Sequence, residues 1–244
     1  PEEWSAYFQG LAGQYSHGLV AMGYVHKLAR VELEGFEQSV REKGMPDFTV
    51  QRRGSRDWLY VVTSIEPRAS NEGVLGLDVG SGNNRRLTAD EAARRNALIL
   101  SRRIGLYYNG KKEPGFLLFL PIYRNGAPLE TEEERIAAVT GWAYGSIRVD
   151  ELLSDMARVA GAQVALRALE LDQHGKERLL HNGDLSVTQE LASSQSFDDF
   201  SADGLAAKRT LTILGSEWQM WYRPLAQFYR EGNYSMPWIV GIGG

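Results

Sequence analysis

Four apolar runs that end in turn residues constrain the fold of this chain more than any other feature. They are YVVTSIEP, LGLDVGS, GFLLFLPIY and GWAYGSIRVDELL, which begin at residues 60, 75, 115 and 141. Their β-branched and aromatic side chains suit a pleated, partly buried surface. The run at 116–120 is apolar on both faces, which indicates a central strand. Together the runs predict one antiparallel sheet.

Helical and strand patterns alternate around these runs in two successive units. Helices are predicted at 2–16, 30–43 and 150–160, and a further helix is predicted to begin at Thr88, where a Thr with Glu91 three residues on forms a capping box. Strands are predicted at 18–27, 46–51, 58–65, 74–79, 98–108, 115–123 and 139–149, and then at 163–171, 176–181, 208–214 and 217–224. Residues 124–135 and 193–204 are polar and predicted to be loops. The pattern predicts an α+β fold with antiparallel sheets and flanking helices.

Composition excludes several classes of function. The 244 residues carry a net charge of −4, which argues against a nucleic-acid surface. The chain has no cysteine, and its four histidines lack the spacing of metal ligands, so we expect no disulfide, metal or cofactor. No run of 18 apolar residues is present, so nothing within the sequence is predicted to span a membrane.

Catalytic motifs are also lacking. The glycine-rich segment 73–82 does not end in the Gly-Lys-Ser/Thr of a phosphate-binding loop. No nucleophile elbow and no pair of carboxylates stands out. We therefore expect this part of the protein not to be an enzyme.

Asp78 is the unusual polar residue, because it follows and precedes apolar residues in LGLDV. A carboxylate in such surroundings needs a partner. In one interpretation it caps a turn by accepting hydrogen bonds from the N–H groups of Gly80–Gly82. In the other it points into a pocket and orients a ligand.

An ordered set of short motifs resembles the CHASE domain over roughly residues 20–155. The motifs are Phe36-Glu37, Pro46-Asp47-Phe48, Ile65-Glu66-Pro67 with Asn71, Leu75-Gly76-Leu77-Asp78, Pro121-Ile122-Tyr123, and Thr131 to Arg135 leading to Gly141. Members of that family are extracytoplasmic sensors of bacterial histidine kinases, diguanylate cyclases and plant cytokinin receptors. The resemblance implies tandem PAS-like domains between two membrane spans.

The resemblance also implies how the chain is organised. A membrane-distal sensor domain would occupy residues 1–148 and a membrane-proximal PAS-like domain residues 149–235. The apolar tail, 236–244, would begin a transmembrane segment. The protein would lie on the periplasmic face of the bacterial inner membrane and dimerise through stalk helices.

Site residues are also implied by the resemblance. Asp78 occupies the place of an acid that contacts the adenine ring of cytokinin in the plant receptors, and Leu100 and Ser101 lie in the next pocket strand. Phe119 and Tyr144 replace smaller residues and would narrow a cytokinin-shaped cavity. The remaining expected ligand-binding residues are Tyr60 and Trp142.

The sequence thus predicts a small-molecule sensor that signals to a cytoplasmic kinase or cyclase outside these residues. Adenine-like and other small molecules are favoured over cytokinin itself as ligands. The alternatives are a secreted or soluble binding protein, an enzyme, and a dimerisation module whose pocket is vestigial.

Overall fold

The computed structural model describes residues 18–51, 54–108, 111–149, 151–154, 163–172, 174–183, 189–202, 204–225 and 228–229. The described residues form two compact units. The first comprises those up to Val149 together with Leu214–Ser216, and the second comprises the others. The helix predicted at 2–16, most of the helix predicted at 150–160 and the tail at 236–244 lie outside the described residues.

The first unit contains a six-stranded antiparallel sheet. Its elements are β1 (Leu19–Ala29), α1 (Leu33–Glu42), β2 (Trp58–Glu66), α2 (Asn83–Arg95), β3 (Ile99–Leu100), β4 (Ile104–Tyr108), β5 (Lys111–Tyr123), α3 (Glu132–Ala138) and β6 (Val139–Arg148). The strand order is β2-β1-β6-β5-β3, and β4 also pairs with β5. Short 3-10 helices occupy Arg30–Glu32, Glu72–Val74 and Val79–Ser81. β5 and β6 therefore lie inside the sheet, as the apolar run at 116–120 predicts.

The second unit contains a four-stranded sheet and two short helices. Its elements are β7 (Val164–Leu171), β8 (Glu177–Asn182), α4 (Gln189–Ser194), α5 (Phe197–Ser201), β9 (Ala207–Ile213) and β10 (Ser216–Pro224). The strand order is β8-β7-β10-β9. Phe200 and Trp221 are buried together with Leu169 and Leu179. Both units thus have the predicted α+β architecture.

The sheet of the first unit packs on both faces. On one face, Ala89, Ala92 and Ala93 of α2 lie in the same buried cluster as sheet residues. Small side chains let the helix approach the sheet closely, because alanine adds only one methyl group to the interface. On the other face, Leu33 and Val40 of α1 belong to a second apolar cluster with residues of β1 and β2.

The predicted start of α2 is wrong. The helix begins at Asn83, five residues before the predicted N-cap, so Thr88 lies inside it. The Thr88 hydroxyl donates to the carbonyl of Asn84 at 2.8 Å, which is the bond that threonine makes within a helix. The predicted capping box at Thr88 is therefore wrong, and the structure has such a box at Thr131 and Glu134, where the sequence predicted a loop.

Several predicted strands and loops also differ from the structure. Segments 46–51 and 74–79 are not strands and contribute only the single bridges Gln51↔Leu77 and Val61↔Asp78. The strand predicted at 98–108 is interrupted after Leu100. The predicted loops at 124–135 and 193–204 contain parts of α3, α4 and α5. In segment 74–79, Gly76 adopts a φ of +75°, which a regular strand does not accommodate.

Gly23 in β1 leaves room for the ring of Tyr144 in the neighbouring strand β6. A Cβ at Gly23 would lie 2.0 Å from the carbonyl oxygen of Ser64 and 2.7 Å from Cε1 of Tyr144. We predict that Gly23→Ala lowers the free energy of unfolding by about 1–3 kcal/mol, because these atoms must move apart. Denaturant unfolding measures the change.

Gly35 in α1 provides the control. No atom lies within 4 Å of a Cβ added there, and the position is exposed. Gly35→Ala should raise the free energy of unfolding by roughly 0.5–1 kcal/mol through helix propensity. Equal effects of the two substitutions would contradict the packing described for Gly23.

Candidate functional site

Asp78 lies between β2 and α2, and only 1% of its surface is exposed. Its Oδ1 accepts a hydrogen bond of 2.9 Å from the backbone N–H of Tyr60, so the carboxylate joins this segment to β2. It makes no capping bond to the 3-10 helix that follows, so the turn-capping interpretation is wrong. Oδ2 is buried without a hydrogen-bond partner among the described residues. One carboxylate oxygen thus remains able to accept a further hydrogen bond.

The rings of Tyr60 and Trp142 are in contact at a tilt of 47°, and both side chains bond to α2. Their ring centroids are 4.4 Å apart. The Tyr60 hydroxyl donates to Asp90, and Trp142 Nε1 donates to the carbonyl of Ala89 at 2.8 Å. The guanidinium of Arg86 lies 4.0 Å from the centre of the Tyr60 ring. These contacts hold α2 against the sheet and use the polar atoms of both aromatic side chains.

Ser101 lies in the break between β3 and β4, and its side chain forms a hydrogen bond to β5. Its hydroxyl accepts from the N–H of Leu117 at 2.9 Å and donates to the carbonyl of Arg102. Leu100 and Phe119 are buried beside it, and Phe119 is opposite Ile99 across the strand pair. All three predicted residues thus hold β3 and β5 together.

A cavity of about 80 Å³ lies between the sheet and the segment that connects β2 to α2. Tyr144 is the predicted site residue that lines it, and its hydroxyl is buried without a partner among the described residues. Polar lining groups are Asn71, Arg85 and Ser146. The apolar lining comes from Val20, Ile65, Val74, Leu77, Val79, Ile104, Gly105, Leu106 and Leu117.

The other predicted residues surround this cavity without lining it. Tyr60, Phe119 and Trp142 share one buried cluster with Tyr144. Asp78 directly precedes Val79, which lines the cavity. The structure therefore brings the predicted residues into one region, where Tyr144 alone among them reaches the cavity.

Three polar lining residues were absent from the predicted site. Ser146 lies two residues after Tyr144 in β6, and alternate residues of a strand share a face, so this spacing could have revealed it. Asn71 contributed to the family resemblance but was not assigned to the site. Arg85 gave no signal, because its helix was predicted to begin after it.

Burial raises the pKa of Tyr144 above its ordinary value. Burial and the hydrogen bond to Asp90 raise the pKa of Tyr60 in the same direction. Both phenols are therefore neutral at physiological pH. In the cavity, Tyr144 offers a hydroxyl that can donate or accept a hydrogen bond.

The described part of the chain has neither a metal-binding cluster nor a membrane-spanning helix. No group of three or more His, Cys, Asp or Glu residues there could hold a metal ion. None of its helices is both long enough and apolar enough to cross a membrane.

The first unit thus combines an antiparallel sheet and flanking helices with a partly open, mostly apolar cavity. A family model of the CHASE domain matches residues 1–181. The chain therefore belongs to the CHASE domain family, and it is an extracytoplasmic sensor domain. None of the curated protein sequences compared with the chain matches it.

Three solved structures are similar to the chain. The periplasmic sensory domain of the Campylobacter jejuni chemoreceptor Tlp1 is 11% identical, with 95% of this chain and 80% of that chain covered and a TM-score of 0.49. Methyl-accepting chemotaxis protein X is 9% identical over 90% and 80% of the two chains, with a TM-score of 0.45. The ligand-binding domain of the Pseudomonas aeruginosa amino acid chemoreceptor PctC, in complex with GABA, is 15% identical over 90% and 88%, with a TM-score of 0.36.

The bond from Tyr60 to Asp78 can be tested by two substitutions at Asp78. Asp78→Ala removes the acceptor and leaves the buried N–H of Tyr60 unpaired, whereas Asp78→Asn keeps an oxygen at that position. We predict that the free energy of unfolding of the alanine variant is about 1–3 kcal/mol lower than that of the asparagine variant. Denaturant unfolding of both variants at pH 7 measures the difference, and equal stabilities would contradict the bond.

The raised pKa of Tyr144 predicts a loss of stability in alkali. Above the ordinary tyrosine pKa of about 10, the folded state retains a proton that the unfolded state has released, so the free energy of unfolding falls as pH rises. Below that pH the contribution is fully present. Tyr144→Phe should reduce this alkaline loss, as measured by denaturant unfolding from pH 8 to 11. An unchanged slope in the variant would show that the Tyr144 hydroxyl ionises as readily in the folded state as in the unfolded one.

Proposed function

We propose that this chain is the ligand-sensing input of a membrane receptor and that a small molecule occupies the cavity beside Tyr144. The observation that carries the proposal is the Tyr144 hydroxyl, which is buried, lines the cavity and has no partner among the described residues. Burying a polar group without a hydrogen bond is unfavourable. A ligand that bonds to the hydroxyl would remove this penalty.

The size and the charge of the cavity restrict the ligand. An apolar cavity of about 150 Å³ holds benzene, so a cavity of about 80 Å³ must open before it admits a purine. Arg85 is a basic lining residue, and no Asp or Glu is found among the described residues that line the cavity. The lining therefore favours a neutral or anionic molecule of a few heavy atoms, or an adenine-like one that displaces a wall.

The wall formed by residues 71–81 is the one that a ligand can displace most readily. It carries only 3-10 turns and isolated bridges, whereas the opposite wall belongs to paired strands. Hydrogen bonds from Val62 N–H to Leu77, from Gly76 N–H to Val62, and from Tyr60 N–H to Asp78 hold it to β2. In this proposal the ligand changes the position of the wall, and the change passes through α2.

The receptor architecture in this proposal follows the family. In this proposal the sensor domain at 1–148 is membrane-distal and the PAS-like domain at 149–235 is membrane-proximal. A homodimer through stalk helices carries the signal across the bacterial inner membrane to a cytoplasmic kinase or cyclase. Ligand binding acts by favouring one of two dimer arrangements.

Tyr144→Phe separates binding from folding. Because the substitution removes an unpartnered buried hydroxyl, we predict that the unliganded protein keeps its melting temperature or gains slightly. A ligand at 100 times its Kd should add about 2.7 kcal/mol to the wild type, a shift of several degrees. The variant should lose most of that shift. Thermal unfolding against neutral and anionic small molecules, adenine derivatives included, measures both effects.

Tyr123→Phe is the matched control. The Tyr123 hydroxyl donates to the carbonyl of Ala93 at 2.6 Å, outside the cavity. This variant should be less stable than the wild type and yet keep the full ligand-induced shift. If no compound in the panel shifts the wild type, the proposal fails and a dimerisation module is the better account.

A further inference from the structure

A second cavity, of about 310 Å³, lies in the first unit, and none of its lining residues lines the first cavity. It is formed by the segment after α1 and the segment after β2. Its lining residues are Met45, Pro46, Asp47, Phe48, Thr49, Arg68, Glu72 and Leu75. Its volume falls at the lower end of the range for small-molecule sites, about 300–1,000 Å³.

Polar side chains of α1 fix one wall of this cavity. Arg41 Nε donates to the carbonyl of Phe48 at 2.9 Å, and Glu37 Oε1 accepts from the N–H of Val50 at 2.7 Å. Arg41 and Glu37 also form an ion pair of 3.3 Å. Phe48 is only 6% exposed and forms an apolar floor of the cavity.

The opposite wall is tied to the first. Gln51 donates from its backbone N–H to the carbonyl of Gly76 at 2.8 Å and from its side chain to the carbonyl of Gly73 at 3.1 Å. A Cβ at Gly76 would lie 2.0 Å from the carbonyl oxygen of Thr49, so the two segments touch closely there. The backbone of both walls is thus held by hydrogen bonds before a ligand binds, whereas the charged lining side chains are exposed to solvent.

The cavity is lined by charges of both signs that do not neutralise one another. Arg68 carries a guanidinium, and Asp47 and Glu72 carry carboxylates. Within the part of the chain that the structure describes, the side chains of these three residues form neither an ion pair nor a hydrogen bond. Charges of opposite sign are thus presented around one apolar floor.

We propose that this second cavity binds a free apolar amino acid. The carboxylate of the ligand pairs with Arg68, whose planar guanidinium can form two parallel hydrogen bonds to it. The ammonium group pairs with Asp47 or Glu72, and the side chain of the ligand packs on Phe48, Met45 and Leu75. This site is separate from the cavity beside Tyr144 and does not depend on a ligand there.

Calorimetric titration with L-leucine tests the proposal, with L-methionine and L-phenylalanine as further probes. Two truncated analogues accompany leucine: 4-methylpentanoate lacks the ammonium group, and 3-methylbutylamine lacks the carboxylate. We expect an amino acid to bind and both analogues to bind at least about tenfold more weakly, because each analogue forms only one of the two ion pairs. Arg68→Gln should weaken amino acid binding by a similar factor, and so should the double substitution Asp47→Asn with Glu72→Gln.

Two variants serve as controls. Arg124→Gln removes an exposed arginine outside the cavity and should leave the affinity unchanged. Tyr144→Phe alters the first cavity and should also leave it unchanged. The proposal is overturned if none of the three amino acids binds at millimolar concentration, if the truncated analogues bind as tightly as leucine, or if Arg68→Gln has no effect. Loss of amino acid binding in Tyr144→Phe would place the ligand in the first cavity and would equally overturn it.

Discussion

The carboxylate of Asp78 accepts a hydrogen bond from the backbone N–H of Tyr60. This bond holds the segment that connects β2 and α2 against the sheet. Tyr60 then continues the chain of contacts, because its ring contacts that of Trp142 and its hydroxyl donates to Asp90 in α2. Trp142 reaches the same helix through Ala89. The position of α2 relative to the sheet thus depends on a few polar contacts in an apolar interior, where each is stronger than it would be in water.

The segment that Asp78 anchors separates two cavities. Asn71 and Val74 line the smaller cavity, whereas Glu72 and Leu75 line the larger one. The stretch from Asn71 to Leu75 therefore contributes side chains to the lining of both cavities. A stretch with little regular secondary structure can change its conformation at a lower free-energy cost than the strands behind it. A molecule in either cavity would act on the same piece of chain.

The sequence predicts the sheet well and its surroundings less well. The apolar run at 116–120 correctly indicates a strand inside the sheet, with Phe116, Leu117 and Phe119 buried, although Leu120 is 47% exposed. The segment at 74–79 has the same composition as a strand, yet positive φ at Gly76 and the contact with Thr49 give it another conformation. Thr88 has the pattern of an N-cap, but α2 begins earlier and the hydroxyl bonds inside the helix.

The candidate site, like the fold, could be predicted from the sequence only in part. Asp78 could be singled out because a carboxylate in an apolar run needs a partner, whereas Tyr144 was predicted only through the family resemblance. Which of them reaches the cavity depends on strand register and on the path of the connection at 71–81, and local sequence sets neither. The sequence could not predict Arg85 as a lining residue for a similar reason, because its place beside the cavity depends on where α2 begins.

The most direct test of the account is a structure of the protein bound to whichever molecule raises its melting temperature most through Tyr144. We predict a polar atom of that molecule about 2.6–3.2 Å from the Tyr144 hydroxyl oxygen, with residues 71–81 displaced from their unliganded position. A ligand bound elsewhere, with the Tyr144 hydroxyl still lacking a partner and the segment unmoved, would contradict the account.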